Sequence, residues 1–328
     1  MKVTIRPARA EDRDAVMAIA AQIWEGNDYL PQVWDAWLAD REGQLVVATL
    51  EGRPVAVGKL TRLGPEEWWL EGLRVDPAHQ GRGIARQVHA HLVELAEQRG
   101  RGVLRFGTGS YNQAVHHLAA RTGFHPIARY AFYRAEALGG PEEADERSPS
   151  GPEVGPLRPV PPSAAPAIWA LLEASPRFQA GHRLYEERWV WRTLTAARLQ
   201  ALLARGRVWG MTDEAGDWVG VAFVLPDLEK ERLRVGLLDG EEAALRPLAQ
   251  ALRRQAAVGV GTAPMAASYS HVSVKVLDDP TLTAALEGAG YQSAWEHQVV
   301  VFERPLHPQH AARHRQHATR DAQYVIPK

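Results

Sequence analysis

Two glycines, Gly81 and Gly83, stand in "HQGRGIARQVHAHLVELAEQRG", His79 to Gly100, where an amphipathic helix is about to begin. Glycine costs about 0.8–1 kcal/mol relative to alanine inside a helix, so a pair at a helix start asks for a reason. The first turn of a helix exposes backbone N–H groups with no internal partner, and the macrodipole adds partial positive charge there. A backbone without Cβ atoms lets an anion approach those groups, and Arg82 adds a full charge. A phosphate resting on this turn is one reading of the pattern. A junction that simply needs unusual φ/ψ is the other. The spacing is neither the G-x-G-x-x-G dinucleotide fingerprint nor the G-x-x-x-x-G-K-S/T loop of nucleoside triphosphate sites. Just upstream, Glu71 is a carboxylate in the otherwise apolar strand "WWLEGL". Burial raises a carboxyl pKa toward values useful for proton transfer. A structural ion pair or a hydrogen bond across the sheet is the equal alternative. Strand alternation puts Glu71 on the face of Leu73 and Val75 unless a bulge intervenes.

The chain has 328 residues, 45% hydrophobic and 23% charged, the balance of a globular protein with room for two domains. It has no cysteine, which removes disulfides, thiolate metal sites and a cysteine nucleophile. The net charge of −1 offers no bulk field for nucleic acid or an anionic membrane. No run approaches the roughly 20 apolar residues of a membrane span, and "MKVTIRPARAEDRD" has no apolar signal core. A cytoplasmic protein is the expectation. Nothing in the sequence specifies an oligomeric state.

Along the chain, "ALGGPEEADERSPSGPEVGP", Ala137 to Pro156, is dense in Pro, Gly, Ser and Glu, as a linker is. The patterns on its two sides are alike. "TIRPARAEDRDAVMAIA" is answered by "PLRPVPPSAAPAIWALL", and "RTGFHPIARYAFYRA" by "GAGYQSAWEHQVVVFERPL". One order of elements repeated once predicts two copies of one fold. The division is 1–136, a linker at 137–156, a second copy at 157–305 and a tail at 306–328. In the first copy the pattern reads as a strand at Val3 to Ile5 and a helix from Glu11 to Trp24. A second helix begins at Pro31, and three strands follow, the first two joined by the hairpin turn "EGRP". Next come the "GRGIA" helix, the strand "GVLRFGT", a helix from Asn112 to Arg121 and closing strands from Phe124.

"LRVDPAHQGRGIA" closely resembles the pyrophosphate-binding signature of the GNAT superfamily of N-acetyltransferases, Q/R-x-x-G-x-G/A, and "NQAVHHLAARTGF" is similar to that family's N-x-x-A…G-F helix. The resemblance covers about residues 2–135. It implies an α/β (α+β) fold in each half, with a mixed, mainly antiparallel sheet flanked by helices. It also implies acetyl-CoA as co-substrate. Backbone groups of Leu73, Arg74 and Val75 would pair with the pantetheine arm. Gln80, Gly81, Arg82, Gly83, Ile84 and Ala85 would hold the pyrophosphate, and Asn112 would contact the cofactor near the thioester. As residue types alone, Asn112 reads equally as a helix N-cap. "NDYLPQVWDAWL" with "LEGLRV" resembles the acetyltransferases related to vertebrate histidine N-acetyltransferase. That makes Asp28, Tyr29, Trp34 and Trp37 candidates for the acceptor site. Read from spacing, Trp34 and Trp37 pack one helix face, and a loop aspartate is a cap.

Acetyl transfer from a thioester to an amine needs a free amine, a donor for the oxyanion and a proton for the thiolate. A backbone N–H near Val75 meets the oxyanion, and Glu71 is the candidate base. Where many family members have an acidic tyrosine, this chain has Ala119, which leaves Tyr111, Tyr130, Tyr133, His116 or solvent as proton sources. The second half lacks the signature: "DGEEAALRPLAQAL" puts Asp239, Glu241 and Glu242 at the helix start, which stabilises the helix and repels a pyrophosphate. It reads as a catalytically silent copy. His307, His310, His314 and His317 have helical spacing that suits a metal, but a polar, disordered tail is the simpler reading, so no metal is expected. The function expected is N-acetylation of a primary amine in a small molecule or amino acid. Protein N-terminal or lysine acetylation, or CoA binding without catalysis, are the alternatives.

Overall fold

The computed structural model describes residues 3–139, 155–227, 231–259 and 268–306. Most of the 137–156 linker and the four tail histidines lie outside the described residues. By packing, the chain forms two compact units from interleaved segments. The first contains Met1–Phe106, Gln113–His125 and Phe302–Lys328, and the second contains Gly107–Asn112 and Pro126–Val301.

The first unit begins with β1 (Thr4–Pro7), α1 (Arg13–Ala20), α2 (Leu30–Ala39), β2 (Gln44–Leu50), β3 (Arg53–Gly64) and β4 (Glu67–Val75). Then come α3 (Ile84–Arg99), β5 (Gly102–Gly109) and α4 (Gln113–Arg121). The first four strands form an antiparallel meander, and β4 pairs β5 in parallel. On one face of the sheet Val16, Ala20, Leu30 and Trp34 of the first two helices bury against Leu45, Val47 and Val57. On the other, Val88 and Leu92 of α3 press on Gly58, whose strand neighbours face the opposite way. The helix expected from Glu11 to Trp24 is shorter than its pattern. It stops at Ala20, and Trp24, Glu25 and Gly26 all have left-handed φ of +46°, +57° and +85°.

The second unit continues through β6 (His125–Glu136), β7 (Arg158–Pro159), α5 (Ala165–Ala174), α6 (Pro176–Ala180), β8 (Leu184–Glu187) and β9 (Val190–Thr193). After α7 (Ala196–Ala204) come β10 (Val208–Thr212), β11 (Trp218–Asp227), β12 (Arg232–Gly240), α8 (Glu242–Val258) and β13 (His271–Leu277). Then come α9 (Pro280–Gly288), β14 (Gln292–Ser293) and β15 (Val299–Leu306), of which only the residues up to Val301 belong to the second unit. Its strand order is β6-β13-β12-β11-β10-β7, antiparallel except for the parallel pair β12–β13. Each unit thus has the mainly antiparallel sheet flanked by helices that the sequence predicts.

The closing strands are exchanged. β6 follows the first half in sequence but pairs β13 of the second unit, while Phe302–Leu306 of β15 completes the first unit beside β5. The join is specific. Buried Arg105 donates to Glu67 at 2.6 Å and to Glu303 at 2.7 Å, and Phe106 stacks on Phe302 at 5.3 Å between ring centres. Arg304 adds an ion pair with Glu97 and donates to the Thr122 carbonyl. Arg105→Ala removes the ion-pair partner of two carboxylates, one of them buried. We expect a loss of about 3–5 kcal/mol, read by urea unfolding, since breaking a buried pair leaves uncompensated charge. A change within about 0.5 kcal/mol would show that the surroundings relax around it.

Candidate active site

After β4 the chain makes a short 3-10 turn, Pro77–His79, closed by the Asp76 carboxylate accepting from the Ala78 N–H at 2.9 Å. The Gln80 side-chain amide reaches back to the Val75 carbonyl at 3.3 Å. Gly81 and Gly83 then have φ of +74° and +75°, and Gly83 is the N-cap of α3 with no side chain capping the helix. A Cβ at Gly81 would meet nothing within 4 Å, and one at Gly83 only the Arg86 guanidinium at 3.9 Å. The backbone reading of the glycines holds, and the open space leaves the phosphate reading sterically possible. The backbone needs left-handed φ, and the space outside it is open where uncapped N–H groups of a 16-residue helix point.

Beside this turn, β4 and β5 separate. Their pairing runs only from Glu67↔Val103 to Trp69↔Arg105, so Leu70–Val75 carry no register with β5. Leu73, Arg74 and Val75 therefore have no strand partner on the β5 side, in the stretch of β4 that leads into the turn before Gly81–Ala85. An extended amide-bearing chain can add to such an edge as a strand does.

The alternation expected for β4 does not survive. Lys59 opposes Glu71 and Val57 opposes Arg74, so Gly58 alone faces the two residues Gly72 and Leu73. This is a β-bulge at Gly72, whose φ is +67° and whose Cβ would lie 2.5 Å from the Trp37 ring. Glu71 is accordingly on the face of Arg74, toward α1 and α2, and not on the face of Leu73. It is half-buried, accepts a hydrogen bond of 2.5 Å from Thr61 and lies across the sheet from the buried Lys59 ammonium. Lys59 in turn is paired with Asp40, and burial lowers its pKa.

The acceptor-site candidates separate into three roles. Trp34 is 1% exposed in the core and has no surface to offer a ligand, which corrects the pocket role for it. Asp28, 3% exposed, caps α2 through the Leu30 N–H and accepts from Arg74 at 2.7 Å, so its charge is already spent within the fold. Tyr29 and Trp37 meet edge to face at 5.9 Å beside Gly72. Burial, with Glu71 and Asp28 nearby, pushes the Tyr29 hydroxyl up to about 12, so it stays protonated. The spacing argument missed Trp24 and Arg74's side chain. The Arg74 guanidinium lies 4.4 Å from the Trp24 ring and 5.5 Å from that of Tyr29. Trp24 is 54% exposed on a left-handed backbone, an arrangement that costs about 1–3 kcal/mol per residue.

Asn112 belongs to the segment that packs with the second unit, and its side-chain amide donates to Thr108 at 3.3 Å. Among the other proton-source candidates, Tyr130 donates to the Gly181 carbonyl and Tyr133 to Glu287, which with burial pushes Tyr133 up to about 12. Ala119 is fully buried on α4.

In the second unit the corresponding turn is closed. Asp239 is buried and accepts from Ser175, Arg177 and the Gly240 N–H, while Glu241 and Glu242 begin α8. Burial pushes the Asp239 carboxyl above its usual range. The Glu186 carbonyl lies 1.9 Å from where a Gly236 Cβ would be, so β8 fills the space against β12. What remains is a cavity of about 20 Å³ lined by Tyr130, Arg177, Gly236, Asp239 and Lys275. That is room for about one water molecule. No cluster of metal-ligating side chains occurs among the described residues, and no helix among them is long and apolar enough to cross a membrane.

A meander of antiparallel strands, a splayed parallel pair and a left-handed glycine turn between β4 and α3 define a GNAT-type α/β fold. A family model described as the acetyltransferase (GNAT) family matches residues 13–124. The N-alpha-acetyltransferase RimI of Mycobacterium tuberculosis is 32% identical over 137 residues, 40% of this chain and 85% of that one. A histidine N-acetyltransferase of Oreochromis niloticus is 34% identical over 93 residues, 28% of each chain, so the alignment spans little more than a quarter of that relative. A solved tandem GNAT protein from the clavulanic acid biosynthesis pathway shares the fold at a TM-score of 0.57 and 18% identity, covering 94% of this chain and 99% of that one. The chain belongs to the GNAT acetyltransferase family.

Proposed function

We propose that this protein is an acetyl-CoA-dependent N-acetyltransferase whose first unit is active and whose acceptor is a primary amine in a small molecule or amino acid. The observation that carries the reading is the uncapped, left-handed glycine turn at the start of α3, following a β4 whose Leu70–Val75 carry no register with β5, with Glu71 on that strand. Residues 80–85 hold the pyrophosphate, and backbone groups of Leu73–Val75 align the pantetheine arm. Bound acetyl-CoA supplies the thioester carbonyl. Glu71 takes a proton from the acceptor ammonium, directly or through a water, so that the nitrogen lone pair is free to attack. A backbone N–H near Val75 meets the charge that develops on the carbonyl oxygen. The N–C bond forms and the C–S bond breaks; the nitrogen then gives up its second proton, which reaches the departing thiolate directly or through water, while Glu71 returns the first to solvent, so one proton is released per amide formed. Ala119 supplies no proton for that step.

The names of the relatives, a histidine N-acetyltransferase and an N-alpha-acetyltransferase, support an amino acid or another α-amino group as the acceptor. Thiol release from acetyl-CoA, measured with a panel of small amines, amino acids and N-terminal peptides, separates them. Acetyl-CoA binding without release from any acceptor would reduce the protein to a CoA-binding module.

One acetyl-CoA binds per chain. The second unit meets an anion with Glu241 and Glu242 and leaves space for about one water where a cofactor arm would run. Calorimetry giving two sites of comparable affinity would overturn this assignment.

A further inference from the structure

The carboxylate of Glu71 is held from the neighbouring strand. We propose that Thr61 is a positioning residue for the reaction: its hydroxyl fixes the Glu71 side chain in place and sets the pH at which that side chain can take up a proton. The inference rests on the reading of Glu71 as the base.

In the ladder of β3 and β4, Lys59 opposes Glu71 and Thr61 opposes Trp69. All four side chains therefore share the face on which Val57 packs against α1 and α2. Thr61 is the diagonal neighbour of Glu71, a distance that a long side chain can span. Its hydroxyl donates to Glu71 Oε1 at 2.5 Å, the length of a charge-assisted O–H···O⁻ bond. Threonine has one hydroxyl proton, and this hydroxyl has no second partner among the described residues. Threonine is also stiff at χ1, whereas glutamate must fix several torsions to hold one geometry. The rigid partner orders the flexible one.

The charged groups around Glu71 on this face are engaged elsewhere. Lys59 is fully buried, and its ammonium donates to Asp40 and to the Leu60 carbonyl. Arg74 is paired with Asp28, and Tyr29, at the start of α2, stays protonated. An ion pair at contact distance would lower the pKa of a carboxyl strongly and weaken it as a base. A single hydroxyl bond orients the carboxylate at a smaller cost in basicity. That choice of partner suits a group that must accept a proton in each cycle.

The test uses the full chain, thiol release and the best acceptor from the panel above. Thr61→Val keeps the shape and the β-branch but has no proton to donate, and kcat should fall by roughly 10- to 100-fold. A hydrogen bond to the charged form favours that form, so its loss raises the carboxyl pKa. The acidic limb of the kcat profile should then move to higher pH, which a loss of stability alone would not produce. Thr61→Ser keeps the hydroxyl and should bring kcat within a few-fold of wild type, with that limb unmoved. In the Glu71→Gln background Thr61→Val should cost little more, since the two residues act as a unit. Should Thr61→Val fail to fold, Thr61→Ala carries the same test. A wild-type kcat and pH profile in folded Thr61→Val overturns the positioning role, and so does an equal loss with and without the Glu71 carboxylate. In both cases a deficit in Glu71→Gln leaves the base reading standing. Full activity of Glu71→Gln overturns both.

Discussion

Glu71→Gln should lower kcat/KM by roughly 10²–10⁴, the usual worth of a general base. Glutamine preserves the shape of the side chain and a partner for the Thr61 hydroxyl, which donates to Glu71 at 2.5 Å, but it cannot take up a proton. Acetyl-CoA affinity should stay near wild type, because the proposed cofactor site consists of backbone groups of Leu73–Val75 and the 80–85 turn. The sign of the pH effect follows from the acceptor. A protonated amine cannot attack, so the rate falls as pH drops, and the base matters most there. The deficit of the variant should therefore shrink at high pH, where more amine is already free. A purely structural Glu71, bracing β3 through Thr61 and the opposed Lys59, gives another result. The variant would then lose thermal stability and keep the wild-type pH profile. A rise in KM with kcat intact would make Glu71 an ammonium-binding residue that moves no proton. Full activity in a well-folded variant would remove it from the site.

Gly83→Asp should abolish acetyl-CoA binding, an affinity loss of at least about 100-fold, while the protein stays folded. The N-cap of α3 has φ +75°, a conformation that costs an L-residue about 1–2 kcal/mol, and the space around it is open. The strain is therefore local and the core under α3 is untouched. The carboxylate acts on the ligand, since it places a negative charge, and a competing acceptor for the helix N–H groups, at the proposed pyrophosphate site. Gly83→Ala separates the two terms, because it carries the strain without the charge and should lose less affinity. Unchanged affinity of Gly83→Asp by calorimetry would eliminate the phosphate reading of the turn.

Local chemistry made much of this protein legible in one dimension. The helix start at Ile84, the left-handed glycines before it and the "EGRP" hairpin, with φ of +51° at Glu51 and +83° at Gly52, follow from steric rules that act within a few residues. The two repeated halves and their sheets follow from hydrophobic periodicity, which reports the face each element buries. The acidic start of α8 was equally readable. Other features depend on residues far apart in sequence, and there the pattern fails. Alternation placed Glu71 with Leu73, but the ring of Trp37 occupies the space beside Gly72 and the strand bulges, which turns Glu71 toward Arg74. Trp34 and Trp37 have equivalent helical spacing. Only packing decides that the first lies in the core and the second lies against the bulge. The Arg74–Asp28 pair joins residues 46 apart, and nothing in either neighbourhood announces the other. The exchange of closing strands is hidden for the same reason. β6 and β15 have similar sequences, so either would suit either sheet by pattern. Arg105 favours β15 in the first unit, because its buried guanidinium has several donors to satisfy, and Glu303 accepts from Nε while Glu67 accepts from Nη1.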